Sequence, residues 1–188
     1  MKKTSALILT SALLAAGTFL AAPAGAASAA LPDKYDTYVP DGDTYAKRTN
    51  PDHLKNHNQA KARLTTGGAP FTFQTSANCF HRGQGCTSLS FVNKKSIEGI
   101  RIFQSKSKCP IKITGGTEWG HAGSGDNSES RKSHWNGYKL DIDPTTCVSN
   151  YIKSNYTLSG TVDGNPRYIS GGGNWYVKES NHWDITYF

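Results

Sequence analysis

The segment Ser133–Asp143, SHWNGYKLDID, carries a histidine and an aspartate seven residues apart, with a glycine between them where the chain would need a turn. A second segment near the chain end, Glu179–Asp184, reads ESNHWD and adds a second histidine three residues after a glutamate. Two imidazoles and one carboxylate are a typical ligand set of a hydrolytic zinc site, which leaves a fourth position for water. The sequence therefore predicts that Zn²⁺ is bound by His134, Asp141 and His182, with Glu179 as the catalytic base.

The sequence leaves three features of this site undecided: the carboxylate ligand, the outer-shell partner and the metal. Asp143 points to the same side of a strand as Asp141, so either carboxylate could be the ligand. Asp184 shares a face with His182 and could hold the N–H of an imidazole as an outer-shell partner. The same ligands could bind Fe(II), but a spare glutamate in an exported, disulfide-bearing chain favours zinc hydrolysis.

The first residues predict export. Lys2 and Lys3 precede an apolar run from about residue 6 to residue 22, and small residues typical of a signal peptidase site follow it. We expect residues 1–29 to be a signal peptide, residues 30–70 a polar N-terminal extension, and residues 71–188 a zinc peptidase-like domain. Cleavage of the signal would leave a secreted, extracellular protein without a membrane anchor.

Four cysteines in an exported chain predict two disulfides. Three pairings are possible. A short local loop favours Cys79–Cys86, which leaves Cys109–Cys147.

Composition and charge limit the fold classes and the kinds of partner that the sequence favours. With 36% hydrophobic residues and 19 glycines, the chain favours an α+β or β-rich domain over a helical bundle. The formal net charge of +7 suits an anionic polymer such as a bacterial cell wall or nucleic acid. No dense run of Lys and Arg marks a nucleic-acid-binding stripe, so we expect no nucleic-acid partner.

Hydrophobic spacing predicts the main elements. Helices are expected over residues 52–63, 94–105 and 145–154, and strands over residues 110–114, 140–143, 174–178 and 182–187. Thr117–Lys132 is rich in Gly and Ser and predicts a long functional loop. His53 and His57 are spaced to share one face of the first helix, where a solvated surface is a better interpretation than a metal site.

The site pattern resembles a known family. His134-x-x-Gly137-x-x-x-Asp141, followed by Glu179-x-x-His182-Trp183, is similar to the S-x-H-x-x-G-x-A-x-D and E-x-x-H motifs of the zinc D-Ala-D-Ala carboxypeptidase and dipeptidase family (metallopeptidase family fifteen), which includes L-Ala-D-Glu endopeptidases. The resemblance covers about residues 94–188. It implies the α+β fold of the Hedgehog and DD-peptidase proteins, an antiparallel sheet with flanking helices, and the zinc and base roles given above.

This sequence departs from the family pattern at three positions. Lys132 stands at the family's serine position and Lys139 at its alanine position. Glu118, in a segment resembling I-T-S-G-Y-R, aligns with the family's arginine, which polarises the scissile carbonyl. The oxyanion-stabilising group is therefore unassigned, and the candidate substrate-binding residues are Glu118, Trp119, His121, Arg131 and Tyr138. Trp119 could stack on a sugar or another ligand, or simply pack.

The resemblance implies a zinc metallopeptidase that hydrolyses stem peptides of peptidoglycan as a carboxypeptidase or an endopeptidase. We expect the protein to be secreted, from its signal-like segment, and monomeric. The alternative is a non-catalytic, zinc-holding module that binds cell wall or protein, which Glu118 in place of the arginine favours. A nuclease is a third hypothesis, since His134 with Asn136 is superficially similar to His-Asn metal nucleases, but the rest of that motif is missing.

Overall fold

The structure is a computed structural model that describes residues 52–54, 56–74, 79, 82–83, 85–124, 128 and 131–188. The predicted signal peptide and residues 30–51 of the predicted extension lie outside these ranges. Within them, no helix has the length and apolar character needed to cross a bilayer.

The described chain is an α+β fold with three helices and nine strands. The helices are α1 (His57–Thr65), α2 (Lys94–Ser107) and α3 (Thr146–Asn155). The strands are β1 (His53–Leu54), β2 (Phe71–Phe73), β3 (Val92–Asn93), β4 (Ile111–Gly115), β5 (Lys139–Ile142), β6 (Thr157–Val162), β7 (Asn165–Ile169), β8 (Trp175–Lys178) and β9 (Trp183–Thr186). The three predicted helices and four predicted strands are confirmed with ends that shift by one or two residues, except that the first helix begins at His57, five residues after its predicted start, because His53–Leu54 forms β1.

Seven strands form one sheet in the order β2-β4-β5-β9-β8-β7-β6, and β1 pairs with β3 in a separate two-stranded sheet. The predicted antiparallel sheet is wrong in one respect, because β2 runs parallel to β4 and the sheet is mixed. The chain between these two strands includes α2, and such a crossover returns it to the sheet in the same direction. The other neighbours in the sheet are antiparallel.

One face of the sheet packs on the helices. Ile97, Ile100 and Phe103 of α2 lie in a buried cluster with residues such as Ile113 and Leu140 from the central strands. The spacing of the three α2 residues places them on one helix face, as the sequence predicts. α1 adds Ala60 and Leu64 to the same cluster, so this part of the predicted polar extension belongs to the core.

Both predicted disulfides are present. Cys79–Cys86 closes a local loop, and Cys109–Cys147 links the residues before β4 to α3. Disulfides of this kind persist in an extracellular or otherwise oxidising environment.

The hairpin of β6 and β7 was not predicted. Its two-residue turn, Asp163–Gly164, has positive φ at both positions, 48° and 79°. This is the backbone of a tight hairpin turn, and Asp-Gly is its strongest sequence signal. Gly160 lies at a register shift in β6, and Pro166 lies in β7. Both residues interrupt the alternating apolar pattern by which a strand is recognised in a sequence.

The turn at residues 134–137 is held against β3 and the start of α2. The carbonyl of Gly137 accepts hydrogen bonds from the backbone N–H of Asn93 (2.9 Å) and from Oγ of Ser96 (2.7 Å). Gly137 has φ +77°, and a Cβ there would lie 2.5 Å from the carbonyl oxygen of Phe91. Only glycine satisfies both the backbone conformation and this close approach.

We predict that Gly137→Ala lowers the free energy of unfolding by about 3 kcal/mol or more, because left-handed strain adds to a backbone clash. Gly164→Ala is the matched control, since Gly164 has φ +79° and a Cβ added there would meet nothing within 4 Å. We expect it to cost about 1 kcal/mol. Urea unfolding of the two variants measures the difference, and equal losses would contradict the role of the Gly137 contact.

Candidate metal centre

The site lies on the face of the sheet opposite the helices. Leu140 and Ile142 of β5 point into the core, so Asp141 between them points the other way. On β9, Asp184 is the residue directly opposite Asp141. Sheet register therefore places two carboxylates side by side, and both are buried.

His134 faces these carboxylates from the turn before β5. Its Nδ1 lies 2.7 Å from the carbonyl oxygen of Gly116, an acceptor, so Nδ1 carries the proton and donates it. Its Nε2 lies 3.2 Å from Oδ1 of Asp141 and 3.7 Å from Oδ2 of Asp184. An imidazole whose second nitrogen donates to a carbonyl is oriented as in metal-binding histidines, with the ligand atom facing the site.

The turn between β8 and β9 brings His182 to Asp141 and places Glu179 beside His182. Nε2 of His182 lies 3.6 Å from Oδ1 of Asp141 and 3.4 Å from Oε2 of Glu179. Nδ1 of His182 lies 2.8 Å from the side-chain oxygen of Asn181. The structure thus brings together all four residues of the predicted site, although they come from two segments of the chain.

His121, predicted only as a substrate-binding candidate, also reaches this centre. Its ring stacks on that of His134 with centroids 3.8 Å apart, and its Nδ1 lies 3.7 Å from Oδ2 of Asp141. One ligand atom from each of His121, His134 and Asp141 lies within 4.8 Å of the others, so these three residues could hold a metal ion. The i, i+3 spacing of Glu118 and His121 in the long loop is the sequence signal that could have pointed to this pair.

Glu118 supports His121. Its buried carboxylate accepts hydrogen bonds from the backbone N–H groups of Ser88 (2.7 Å) and Gly116 (3.0 Å). Oε1 lies 3.0 Å from Nε2 of His121, which leaves Nδ1 of that ring toward Asp141. Glu118 therefore positions the loop and the imidazole, and it supplies no cation where the family has its arginine.

Charges at the centre depend on one another. Burial opposes protonation of His134, but the carboxylates of Asp141 and Asp184 outweigh it and raise the pKa of His134 to about 10. Burial by itself would raise the pKa of Asp184, but hydrogen bonding to His134 and the charges of His134 and Lys139 hold it well below its ordinary value. Asp141 behaves in the same way: burial opposes its ionisation, and His134 lowers its pKa.

Lys139 projects to the same side of β5 as Asp141. Its Nζ lies 2.8 Å from Oδ2 of Asp184, the carboxylate predicted as an outer-shell partner. Asp184 thus contacts both His134 and a cation. Of the two carboxylates between which the sequence leaves the ligand open, Asp141 and Asp143, Asp141 is the one that lies against His134 and His182.

The donor atoms fit a metal ion. Among the described residues, Oδ1 of Asp141 and Oδ1 of Asp184 are buried and accept no hydrogen bond of ordinary geometry. A buried carboxylate oxygen without a hydrogen bond is costly, and a bound cation removes that cost. Two or three imidazole nitrogens with a carboxylate are a ligand set suited to Zn²⁺.

The other predicted substrate-binding residues are Trp119, Tyr138 and Arg131, and their contacts are with residues of the adjoining loop and turn. Trp119 is 44% exposed, and its ring meets the edge of Trp135 with centroids 5.4 Å apart. Tyr138 is buried and has Nζ of Lys132 3.7 Å from its ring centroid. The guanidinium of Arg131 packs beside Gly123 in the long loop.

His53 and His57, which the sequence pattern places on a solvated helix face, are buried and bond to backbone groups. Nε2 of His53 lies 3.1 Å from the carbonyl oxygen of Asn136, in the turn that carries His134. Nδ1 of His57 accepts a hydrogen bond of 2.9 Å from the backbone N–H of Leu89. The expected solvated helix face is wrong, because His53 lies in β1 and both imidazoles pair with backbone groups from distant parts of the sequence.

No protein-family model, curated protein or solved structure matches the chain.

The raised pKa of His134 predicts a pH dependence for the metal-free protein. A histidine with a folded pKa of about 10, against 6.5 ordinarily, stabilises the fold fully below pH 6.5 and less as the pH rises toward 10. We expect the free energy of unfolding, measured in EDTA, to fall from about pH 7 to about pH 9. His134→Asn keeps a donor for Gly116 but cannot titrate, so its stability should fall less over this range. An equal fall in both proteins would contradict the assignment.

Ligand substitutions test the centre directly. Asp141→Ala and His134→Ala should weaken Zn²⁺ binding by more than the roughly 10- to 100-fold typical of outer-shell changes. Both residues belong to the predicted ligand set with His182 and also to the alternative set with His121. His121→Ala and His182→Ala, compared by competition with a chelating dye, identify the imidazole that completes the set. Stoichiometric zinc in Asp141→Ala protein would reject the site.

Proposed function

We propose that the protein is a secreted zinc metallopeptidase that hydrolyses peptide bonds in the stem peptides of peptidoglycan. The observation that carries the proposal is the approach of two imidazoles, His134 and His182, to one buried oxygen of Asp141, at 3.2 and 3.6 Å. A free carboxylate, Glu179, lies beside the second imidazole. This arrangement agrees with the motif resemblance to the D-Ala-D-Ala carboxypeptidases and L-Ala-D-Glu endopeptidases.

Each residue has a distinct role in this proposal. His134, Asp141 and His182 would hold Zn²⁺, which when bound supplies Lewis acidity and makes water a nucleophile near neutral pH. Glu179, whose side chain is 39% exposed, can accept a proton from the attacking water and pass it to the leaving amine. The carbonyl of Gly116, which accepts the Nδ1 proton, would orient His134, and Asp184, paired with Lys139, would add negative charge beside the ion.

Three observations support an exported enzyme that acts on cell wall. The chain begins with a segment typical of a signal peptide, and the two disulfides suit an oxidising compartment. The formal net charge of +7, which becomes about +5 when Lys2 and Lys3 leave with the signal peptide, favours association with an anionic wall polymer. The Hedgehog and DD-peptidase fold is part of the same proposal, since the mixed α+β sheet is compatible with it.

A second candidate function is a zinc-holding binding module without catalysis. The observation in its favour is the role of Glu118, whose carboxylate is engaged by backbone N–H groups and by His121. A peptidase that loses an oxyanion donor without replacement loses about 3–4 kcal/mol of transition-state stabilisation. Zinc-loaded protein that binds purified cell wall but releases no peptide products would favour this alternative.

The peptidase proposal predicts that Glu179→Ala keeps zinc but loses hydrolysis of defined muropeptides by about 10²- to 10⁴-fold, the usual contribution of a general base. His182→Ala should lose both bound zinc and hydrolysis. Product release by mass spectrometry and zinc content by elemental analysis, on the same samples, separate the two effects.

Glu98→Ala is the control, because Glu98 is a partly exposed carboxylate paired with Arg63 and Arg101 on the helical side. Its turnover and zinc content should equal those of the unaltered protein. Normal turnover by Glu179→Ala protein would reject the proposed mechanism.

A further inference from the structure

A cavity of about 430 Å³ opens beside the candidate metal centre. His121 and Glu118, which belong to the centre, form part of its wall. Trp119 and three neutral polar side chains form much of the rest: Gln74, Thr87 and Thr114. A molecule in this cavity would lie next to a peptide positioned at Asp141.

Trp119 is held in place as a wall of this cavity. Its backbone N–H donates to the carbonyl of Arg82 at 2.7 Å, and its indole meets the buried ring of Trp135 at an interplanar angle of 90°. Trp135 is itself fixed by the buried guanidinium of Arg82, 3.5 Å from its ring centroid. Nε of Arg82 donates to the carbonyl of Thr117 at 2.8 Å, which anchors the support.

This arrangement leaves a rigid indole partly uncovered. Trp119 is 44% exposed, whereas Trp135 and Trp183 are at most 1% exposed. An apolar ring of this size normally gains stability by burial, so the fold keeps an apolar surface available at the cavity. Because the ring is already ordered by its neighbours, covering it with a ligand costs little side-chain conformational entropy.

The charges of the cavity indicate a neutral ligand. Of the described residues in its wall, Glu118 and His121 are the ionisable ones, and they pair with each other at 3.0 Å. The carboxylate of Glu118 also accepts backbone N–H groups, so its charge is satisfied from within the protein. Glutamine and threonine side chains both donate and accept hydrogen bonds, and they suit hydroxyl and amide groups.

We propose that this cavity is a subsite for a neutral, N-acetylated hexopyranose unit of a glycan strand. A pyranose ring has an apolar face of C–H groups that packs on an indole, and a polar rim that bonds to neutral donors and acceptors. The cavity volume lies within the range usual for small-ligand sites. The N-acetylated identity of the sugar rests on the proposed cell-wall substrate, but binding itself requires no hydrolysis.

The subsite would determine substrate preference. A stem peptide still attached to its glycan strand would contact both the metal centre and Trp119, whereas a free peptide would contact the centre alone. The proposal therefore names glycan-linked stem peptides as the preferred substrate class.

Binding of triacetylchitotriose to the metal-free full chain in EDTA, measured by calorimetry and by shifts of indole NMR signals, tests the proposal. We expect measurable binding and a loss of affinity of about tenfold or more in Trp119→Ala protein. Trp119→Phe keeps a flat ring and should retain most of the affinity, which separates stacking from any loss of folding.

Trp175→Ala is the matched control. Trp175 lies on β8 and packs against Phe188, with centroids 5.1 Å apart, so its removal should leave sugar affinity unchanged. Failure of triacetylchitotriose to bind, or equal affinity in Trp119→Ala protein, would overturn the proposal. Trp119-dependent binding of a free stem peptide in place of the sugar would also overturn it and would assign the cavity to peptide.

This measurement is independent of the peptidase proposal because the metal-free protein cannot carry out zinc hydrolysis. Sugar binding without peptidase activity would leave the subsite intact and reject only the proposed reaction. Peptidase activity without sugar binding would reject the subsite and leave the proposed reaction intact.

Discussion

The carboxylate of Asp141 is the group on which the arrangement of the site depends. One of its oxygens faces Nε2 of both His134 and His182, and the other faces His121. Burial makes this negative charge costly unless cations or protons compensate it. The surrounding imidazoles supply that compensation when protonated, and a divalent cation can supply it when they are neutral. A buried anion of this kind gives the pocket a strong preference for positive charge.

The fold supplies the rigidity that such a centre needs. Core residues on both sides of Asp141 fix the direction of its side chain, and pairing of β5 with β9 fixes Asp184 opposite it. The turn that carries His134 is attached by Gly137 to β3 and to the first turn of α2. Ligands from strands and tight turns hold their geometry better than ligands from long loops.

Glu118 changes the chemistry that the site can perform. Its engagement with backbone N–H groups and with His121 turns the position that resembles a catalytic arginine into a structural support. Lys139, paired with Asp184, is a cation at the centre, and His134 is a second one when it is protonated. If the protein is a peptidase, charge on the scissile carbonyl must be stabilised by the metal ion or by these groups. The exposed indole of Trp119, which directly follows Glu118, agrees with the proposed sugar subsite beside the centre.

Much of the fold, and the four residues of the predicted site, could be identified from local pattern. The spacing of Ile97, Ile100 and Phe103 defined α2, the cysteine count and spacing led to both disulfides, and the two histidine-containing segments contained the residues that meet at Asp141. Sequence by itself determined which chemical groups are available and on which face of a helix or strand each one lies, because these properties depend on neighbours a few residues away. Only the tertiary structure decided that β2 runs parallel to β4, that His53 and His57 are buried, and that His121 joins the centre through Glu118. Those outcomes depend on contacts between residues distant in the chain, and local pattern carries no information about which distant groups will meet.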